Sequence, residues 1–127
     1  MTNKAIQTTK APAAIGPYSQ AVASGGFLFS SGALPIDPET STMVEGSIED
    51  RAHMVFKNLS AIAVEAGTSL KNTVKTTVYL ANIADFQAVN GVYQEYFSEP
   101  FPARSAFQVA ALPLGADIEV EAVIALL

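Results

Sequence analysis

Residues 47–67, SIEDRAHMVFKNLSAIAVEAG, hold the pattern that decides the fold. Ser47, followed three residues later by Asp50, resembles a capping box, in which a hydroxyl and a carboxylate satisfy the free N–H groups of a first helical turn. Gly67 supplies the left-handed residue that often ends a helix. Between these signals, apolar residues recur at spacings of three and four, at Ala52, Val55, Leu59, Ile62 and Ala66. The pattern predicts a helix that packs on one side.

The chain beyond this helix predicts a strand, a second helix and two more strands. In residues 74–80 (VKTTVYL) the side chains V, T, V and L alternate with K, T and Y, and many of them are β-branched. This period of two is typical of a strand. Asn82 can cap a helix that ends before Pro100. Its apolar stripe consists of Ile83, Phe86, Val89, Tyr93 and Phe97. Residues 104–110 and 117–127 are predicted as strands.

Two further strands precede the first helix. Residues 19–24 and 27–31 flank Gly25-Gly26, a two-residue connection typical of a tight β-hairpin. The resulting order is strand, strand, helix, strand, helix, strand, strand. It predicts an α+β fold in which two helices cover one face of a mixed β-sheet. The other face is left to be covered by self-association.

Composition limits the possible functions. A chain of 127 residues fits a single domain, residues 1–127. Its net charge of −5 disfavours nucleic-acid binding. It holds no cysteine, which excludes disulfides and thiolate metal ligands, and no apolar run is long enough for a membrane span or a signal core. We expect a cytoplasmic protein with no membrane contact, and the 15% of charged residues favours an oligomer.

A few polar residues stand where a strand would otherwise be apolar. Arg104 follows FPA at the start of a predicted strand, and its planar fork suits a bidentate carboxylate. The alternative, which the residues alone favour, is an arginine that simply pairs with an acid of the chain. Glu119 and Glu121 share one face of the last strand, either in solvent or buried at a subunit junction, where the pKa of a carboxyl would rise. His53 is expected at the surface. A single histidine without cysteine predicts no metal site.

Six blocks of the chain closely resemble the Rid (YjgF) family of reactive-intermediate deaminases. They appear in the family's order and span nearly the whole chain: AIGPYSQ (14–20), FSSG (29–32), VKTTVYL (74–80), VNGVY (89–93), FPARS (101–105) and IEVEA (118–122). The resemblance implies a chorismate-mutase-like α+β fold, assembled as a homotrimer whose sheets form an inner barrel with ligand clefts between subunits.

The resemblance also implies roles for particular residues. Arg104 would hold a substrate carboxylate, and Glu121 would position the attacking water. Tyr18, Ser31 and Asn90 would line or shape the cleft, with the backbone of Ala106 meeting the ligand. The chain departs from the family at Ala106, where many members have cysteine, and at Ala33, where glutamine is frequent. The second departure leaves the substrate preference open.

The implied reaction is hydrolysis of 2-aminoacrylate, 2-aminocrotonate and their imine tautomers to 2-oxo acids and ammonia, without a cofactor. These compounds are released by PLP-dependent dehydratases acting on serine or threonine. One alternative is a non-catalytic protein that binds a 2-oxo acid such as 2-oxobutanoate. A ribonuclease or translation inhibitor is the less favoured alternative, because the chain is acidic and lacks a histidine pair.

Overall fold

The computed structural model describes residues 2–127, which form two helices and two sheets. The strands are β1 (Lys4–Ile6), β2 (Ala21–Ser24), β3 (Phe27–Ser30), β4 (Ile36–Asp37), β5 (Thr42–Met43), β6 (Thr73–Leu80), β7 (Ala103–Gln108) and β8 (Ile118–Ala125). The helices are α1 (Ile48–Glu65) and α2 (Phe86–Tyr96). The main sheet has the order β1-β2-β3-β8-β6-β7, and β4 pairs with β5 separately.

The capping box at the start of α1 forms as predicted. The Ser47 hydroxyl accepts a hydrogen bond from the Asp50 N–H at 3.1 Å, and the Asp50 carboxylate accepts one from the Ser47 N–H at 3.2 Å. Gly67 follows the helix with a φ of +84°, the left-handed conformation predicted for the stop. Most of the predicted stripe is buried, at Ala52, Val55, Leu59 and Ile62. Both ends of the helix are therefore set by local sequence.

The sheet is mixed because one pair of strands is parallel. β6 and β7 run parallel and are joined through α2, the kind of crossover that a parallel pair requires. The other pairs are antiparallel, including the hairpin of β2 and β3, where Gly25 and Gly26 both have positive φ. β8 lies between β3 and β6 in the sheet. The α+β prediction is confirmed.

One face of the sheet packs against the helices and the other does not. Alternate residues of β8, such as Val120 and Ile124, are fully buried with the apolar stripe of α1. The residues between them point to the opposite face, which we call the open face. Its aromatic side chains are partly exposed, with Phe27 at 40%, Phe29 at 47% and Phe107 at 45%. The described chain leaves this apolar surface in solvent.

Three details differ from the sequence predictions. β1 and the small β4–β5 sheet were not predicted, since these strands hold only two or three residues each. Asn82 caps a short 3₁₀ turn, Ile83–Asp85, and α2 begins only at Phe86.

Within residues 2–127, no helix is both long enough and apolar enough to cross a bilayer.

Candidate functional site

Arg104 lies on the edge strand β7 and reaches across to α2. Its Nη1 donates a hydrogen bond to the Asn90 Oδ1 at 2.6 Å, and the residue is exposed. The ion pairs among residues 2–127 join Arg51 to Asp117 and His53 to Glu95, so no described carboxylate neutralises Arg104. The structural alternative of an ion pair with an acid of the chain is thus not realised in the described residues.

A cleft of about 390 Å³ opens beside this arginine. It is lined by Asn90, Tyr93, Gln94, Phe101, Pro102 and Arg104. Arg104 is the one charged side chain in that lining. The cleft is therefore suited to a small anion, because a guanidinium without an acidic neighbour lines it.

A second, larger cavity of about 620 Å³ lies between the N-terminal loop, the end of β3 and α1. Tyr18 and Ser31 line it, as does Glu119, whereas most of the remaining lining is apolar. The Ser31 hydroxyl donates to the Ser19 carbonyl oxygen at 2.6 Å, and the Tyr18 hydroxyl accepts from the Ile15 N–H at 3.2 Å. Local backbone contacts thus hold both polar side chains at the wall of the cavity.

Glu119 is the ionisable group of this cavity. Burial raises the pKa of its carboxyl above the ordinary value of 4.5, and the neighbouring charge of Glu121 raises it further. A carboxylate that is partly desolvated beside a cavity is a better proton acceptor than one in water. The arrangement can therefore remove a proton from a water molecule bound in the cavity.

Glu121 lies outside both cavities. It is exposed on the open face, where its Oε1 accepts a hydrogen bond from the Tyr79 hydroxyl at 3.0 Å. The alternation of β8 placed both glutamates on one face but could not distinguish them. What distinguishes them is the segment 31–34, which packs beside Glu119 through the bridge between Ala33 and Val120. This contact between distant parts of the chain leaves no signal in the sequence of β8.

The structure brings the predicted site residues together in two groups. Tyr18 and Ser31 share the larger cavity, and Asn90 joins Arg104 at the smaller cleft. Ala106 lines neither, because its side chain packs half-buried against the core. Ala33 lines the larger cavity with its small methyl group.

The two groups are too far apart for one small ligand within a single chain. In the sheet register, Arg104 of β7 lies opposite Thr76 of β6, and Glu119 of β8 lies opposite Tyr79 of β6. Arg104 and Glu119 are therefore two strand spacings apart across the sheet and three residues apart along the strands, about 10 Å in each direction. Their side chains also leave opposite faces of the sheet, since Thr76 is buried under the helices and Glu119 is on the open side. One small ligand therefore cannot contact both Arg104 and Glu119 within one chain.

His53 is more enclosed than predicted. Its Nδ1 lies 2.9 Å from the Tyr96 hydroxyl, and its side chain is 33% exposed. It belongs to the contact between α1 and α2 and lines neither cavity. No cluster of three or more histidine, aspartate or glutamate side chains in the described part of the chain is arranged to hold a metal ion.

Known proteins resemble the chain over most of its length. The family model described as endoribonuclease L-PSP matches residues 8–126. The human protein named 2-iminobutanoate/2-iminopropanoate deaminase is 48% identical, over 97% of this chain and 90% of its own. The RutC family protein y4sK of Sinorhizobium fredii is 52% identical, over 95% and 96% of the two chains.

A solved structure shows that the likeness extends to the fold. The crystal structure of RidA from an Antarctic Psychrobacter species is 48% identical and superposes with a TM-score of 0.92, covering 96% of this chain and 98% of that one. The blocks of sequence and the sheet order thus agree with the comparisons. The chain belongs to the Rid family, whose family model carries the description endoribonuclease L-PSP.

Proposed function

We propose that this protein hydrolyses small 2-imino acids to 2-oxo acids and ammonia. The observation that carries the proposal is the guanidinium of Arg104, which faces a cleft and which no described carboxylate neutralises. A 2-imino acid always carries a carboxylate beside its reactive carbon, and an arginine fork binds such a group in two parallel hydrogen bonds. The names of the human and Arabidopsis relatives, both deaminases, support this reaction.

In the proposed mechanism Arg104 fixes the carboxylate and thereby the position of the imine carbon. A carboxylate on the opposite side of the ligand removes a proton from water as the oxygen attacks that carbon. The same group then returns that proton to the nitrogen, and the C–N bond breaks to release ammonia as the new hydroxyl group gives its proton to the carboxylate and becomes the carbonyl of the 2-oxo acid. The carbon of a protonated imine is already electrophilic, so the proposal includes no cofactor.

Glu119 is the carboxylate that the geometry favours for this step. It lines the larger cavity with Tyr18 and Ser31, and burial raises the pKa of its carboxyl. Glu121, the residue predicted from the sequence, is exposed and already bound by Tyr79. The role of Glu121 stays a prediction that a direct comparison of the two variants can test.

The site is proposed to be completed in a homotrimer, whose sheets form an inner barrel. Two observations support self-association: the exposed Phe27, Phe29 and Phe107 of the open face, and the separation of Arg104 from Glu119 within one chain. Packing the open faces together would bury the aromatic rings. It would also allow the arginine of one subunit to approach the cavity of the next.

The proposed substrates are 2-aminoacrylate and 2-aminocrotonate with their imine forms. Enzymes that use PLP to dehydrate serine and threonine release these compounds, so we place the protein beside such dehydratases, in the cytoplasm. The whole chain, residues 1–127, is proposed to act as a single domain. A 2-oxo acid would be the product rather than a regulatory ligand.

Coupling the purified protein to a threonine dehydratase tests this function. The imine also hydrolyses in water alone, so the rate of 2-oxobutanoate formation must rise above the spontaneous rate in proportion to the protein added. His53→Ala and Lys71→Ala serve as matched controls and should keep the activity. Binding of 2-oxobutanoate without acceleration would instead indicate a binding protein. Cleavage of RNA by the same preparation would indicate the ribonuclease.

A further inference from the structure

The Arg104 guanidinium lies between two aromatic rings of α2. Its central carbon is 5.1 Å from the centroid of Phe86 and 4.8 Å from the centroid of Tyr93. These two residues are seven apart, about 10.5 Å along a helix at 1.5 Å per residue, so a group about 5 Å from each ring lies between them. Asn90 stands on the same helical stripe and binds Nη1 at 2.6 Å. One stripe of α2 therefore supplies three contacts to the guanidinium.

This arrangement restricts how Arg104 can present its donors. A cation over an aromatic ring is attracted to the negative face of the ring. With Phe86 and Tyr93 against the guanidinium and Asn90 on one donor, the remaining N–H groups, which point outward in the plane of the fork, are left for a ligand. A planar carboxylate approaches a guanidinium in that plane. The rings thus prepare the arginine for the carboxylate before it binds.

Tyr93 is itself held in place from the sheet. Its hydroxyl lies 2.8 Å from the Thr76 Oγ1, and both residues are buried. Thr76 pairs with Arg104 across β6 and β7, so the same strand position that carries the arginine also fixes one of its two rings. Phe86 differs, because it is only partly buried and packs at the margin of the core. Its ring can be changed with less effect on the core than that of Tyr93.

We infer that Phe86, Tyr93 and Thr76 are positioning residues that hold the Arg104 fork in the orientation that receives the substrate carboxylate. The inference rests on the proposed function, in which Arg104 binds that carboxylate. Phe86 and Tyr93 act on Arg104 directly, and Thr76 acts through Tyr93. None of the three needs to touch the reacting carbon.

Phe86→Leu, which removes the aromatic face and keeps an apolar side chain, tests the inference. We expect the Kd for 2-oxobutanoate, measured by calorimetry, and the KM for the imine to rise about three- to fivefold. The kcat should stay within about twofold, because the proton-transfer group is untouched. Phe86→Tyr restores an aromatic face and should bind 2-oxobutanoate as the unchanged protein does. Ile83→Ala, at an exposed residue just ahead of α2, is the matched control.

A second measurement reports on the arginine itself. Arg51 is the other arginine of the chain, so an ¹H–¹⁵N spectrum of the Nε–H groups can be assigned with Arg104→Lys and Arg51→Lys. The Arg104 signal should be displaced by the ring currents of Phe86 and Tyr93. It should move towards the position of a free arginine in Phe86→Leu. It should also shift in Thr76→Val and in Tyr93→Phe, and the double variant that combines these two changes should resemble either single variant.

The outcomes separate this inference from the proposed function. If Arg104→Lys loses 2-oxobutanoate binding while Phe86→Leu, Tyr93→Phe and Thr76→Val all keep it, the positioning role is overturned and the function stands. If the unchanged protein neither binds 2-oxobutanoate nor accelerates imine hydrolysis, the proposed function itself fails. If Arg104→Lys binds and reacts as the unchanged protein does, Arg104 is not the carboxylate anchor and the positioning role fails with it. An Arg104 Nε–H signal that does not move in Phe86→Leu also overturns the positioning role. All of these measurements are made on the full chain, and the three aromatic and threonine positions are tested separately, so a variant that fails to fold leaves the others to decide.

Discussion

The Glu119 carboxylate occupies the space that a side chain at Gly32 would need. A Cβ placed on Gly32 would lie 2.6 Å from Cδ and 2.9 Å from Cγ of Glu119, which is closer than real Cβ atoms approach other atoms. Gly32 does not have positive φ, so space rather than backbone conformation favours glycine at this position. Ser31 and Ala33 on either side also line the cavity. The glycine therefore determines where the carboxylate can stand.

Gly32→Ala is expected to move the Glu119 side chain and to lower kcat for imine hydrolysis at least tenfold, since a shifted base no longer reaches the water. The melting temperature should change little, because the end of the Glu119 side chain can rotate away. Gly91→Ala is the matched control. Its added methyl meets nothing within 4 Å, and alanine favours the helix in which it lies. Equal activity of both variants would contradict the proposed role of Glu119.

The two glutamates of β8 can be compared directly by amide substitution. Glu119→Gln keeps the shape of the side chain but removes the proton acceptor, and a general base is worth about 10²–10⁴ in rate. We expect such a loss in kcat for Glu119→Gln, with 2-oxobutanoate binding retained. Glu121→Gln should stay within about threefold, since that side chain is exposed and bound by Tyr79. The reverse result would confirm the residue predicted from the sequence.

Glu119 should also make the stability of the protein depend on pH. Because burial raises the pKa of its carboxyl above 4.5, the folded chain holds this proton more tightly than the unfolded chain does. The stability that the group contributes is fully present below the ordinary carboxyl pKa and is lost as the pH rises through the raised one. Glu119→Gln removes this loss. The difference between the free energy of unfolding of Glu119→Gln and that of the unchanged protein should therefore increase from about pH 4 to about pH 7. Urea unfolding at several pH values measures it, and a constant or falling difference would contradict the expectation.

Local sequence signals were sufficient for the longer helices and strands but not for the shortest strands or for the site. Ser47 with Asp50 and the pair Gly25-Gly26 act through their neighbours in the chain, and the structure confirms both. Glu119 became distinct from Glu121 only through the segment around Gly32, which reaches it across the sheet. That contact depends on strand order. β1 is set by pairing with β2 rather than by its own composition, which is why three residues gave no strand signal.

The open face should control assembly. Phe29→Asp places a charge on the open face beside the exposed ring of Phe27, where burial against another copy would leave the charge without a partner. We expect light scattering at micromolar concentration to show that the proposed trimer dissociates in this variant, with loss of activity because the site is divided. Val64→Asp is the matched control, since Val64 is 65% exposed on α1. It should stay trimeric. If the unchanged protein is a stable monomer at this concentration, the proposed assembly is wrong.

Arg104→Lys separates a ligand anchor from a simple positive charge. Lysine keeps the charge but replaces a rigid fork by one ammonium, which cannot bind Asn90 and both oxygens of a carboxylate in the same plane. We expect kcat/KM to fall about tenfold or more, equivalent to about 1.4 kcal/mol or above. The melting temperature should stay close to that of the unchanged protein, since no described acid depends on Arg104.

Arg51→Lys is the opposite control for the same substitution. Arg51 holds two parts of the fold together, because its Nη1 lies 3.1 Å from the Asp117 carboxylate and its Nε donates to the Val44 carbonyl oxygen at 3.0 Å. Lysine cannot keep both contacts at once, so this variant should melt at a lower temperature with unchanged specific activity. The two arginines should thus show reversed effects on activity and stability. Full activity in Arg104→Lys, or a fall in its melting temperature as large as that of Arg51→Lys, would make Arg104 a structural residue and leave the substrate carboxylate without its anchor.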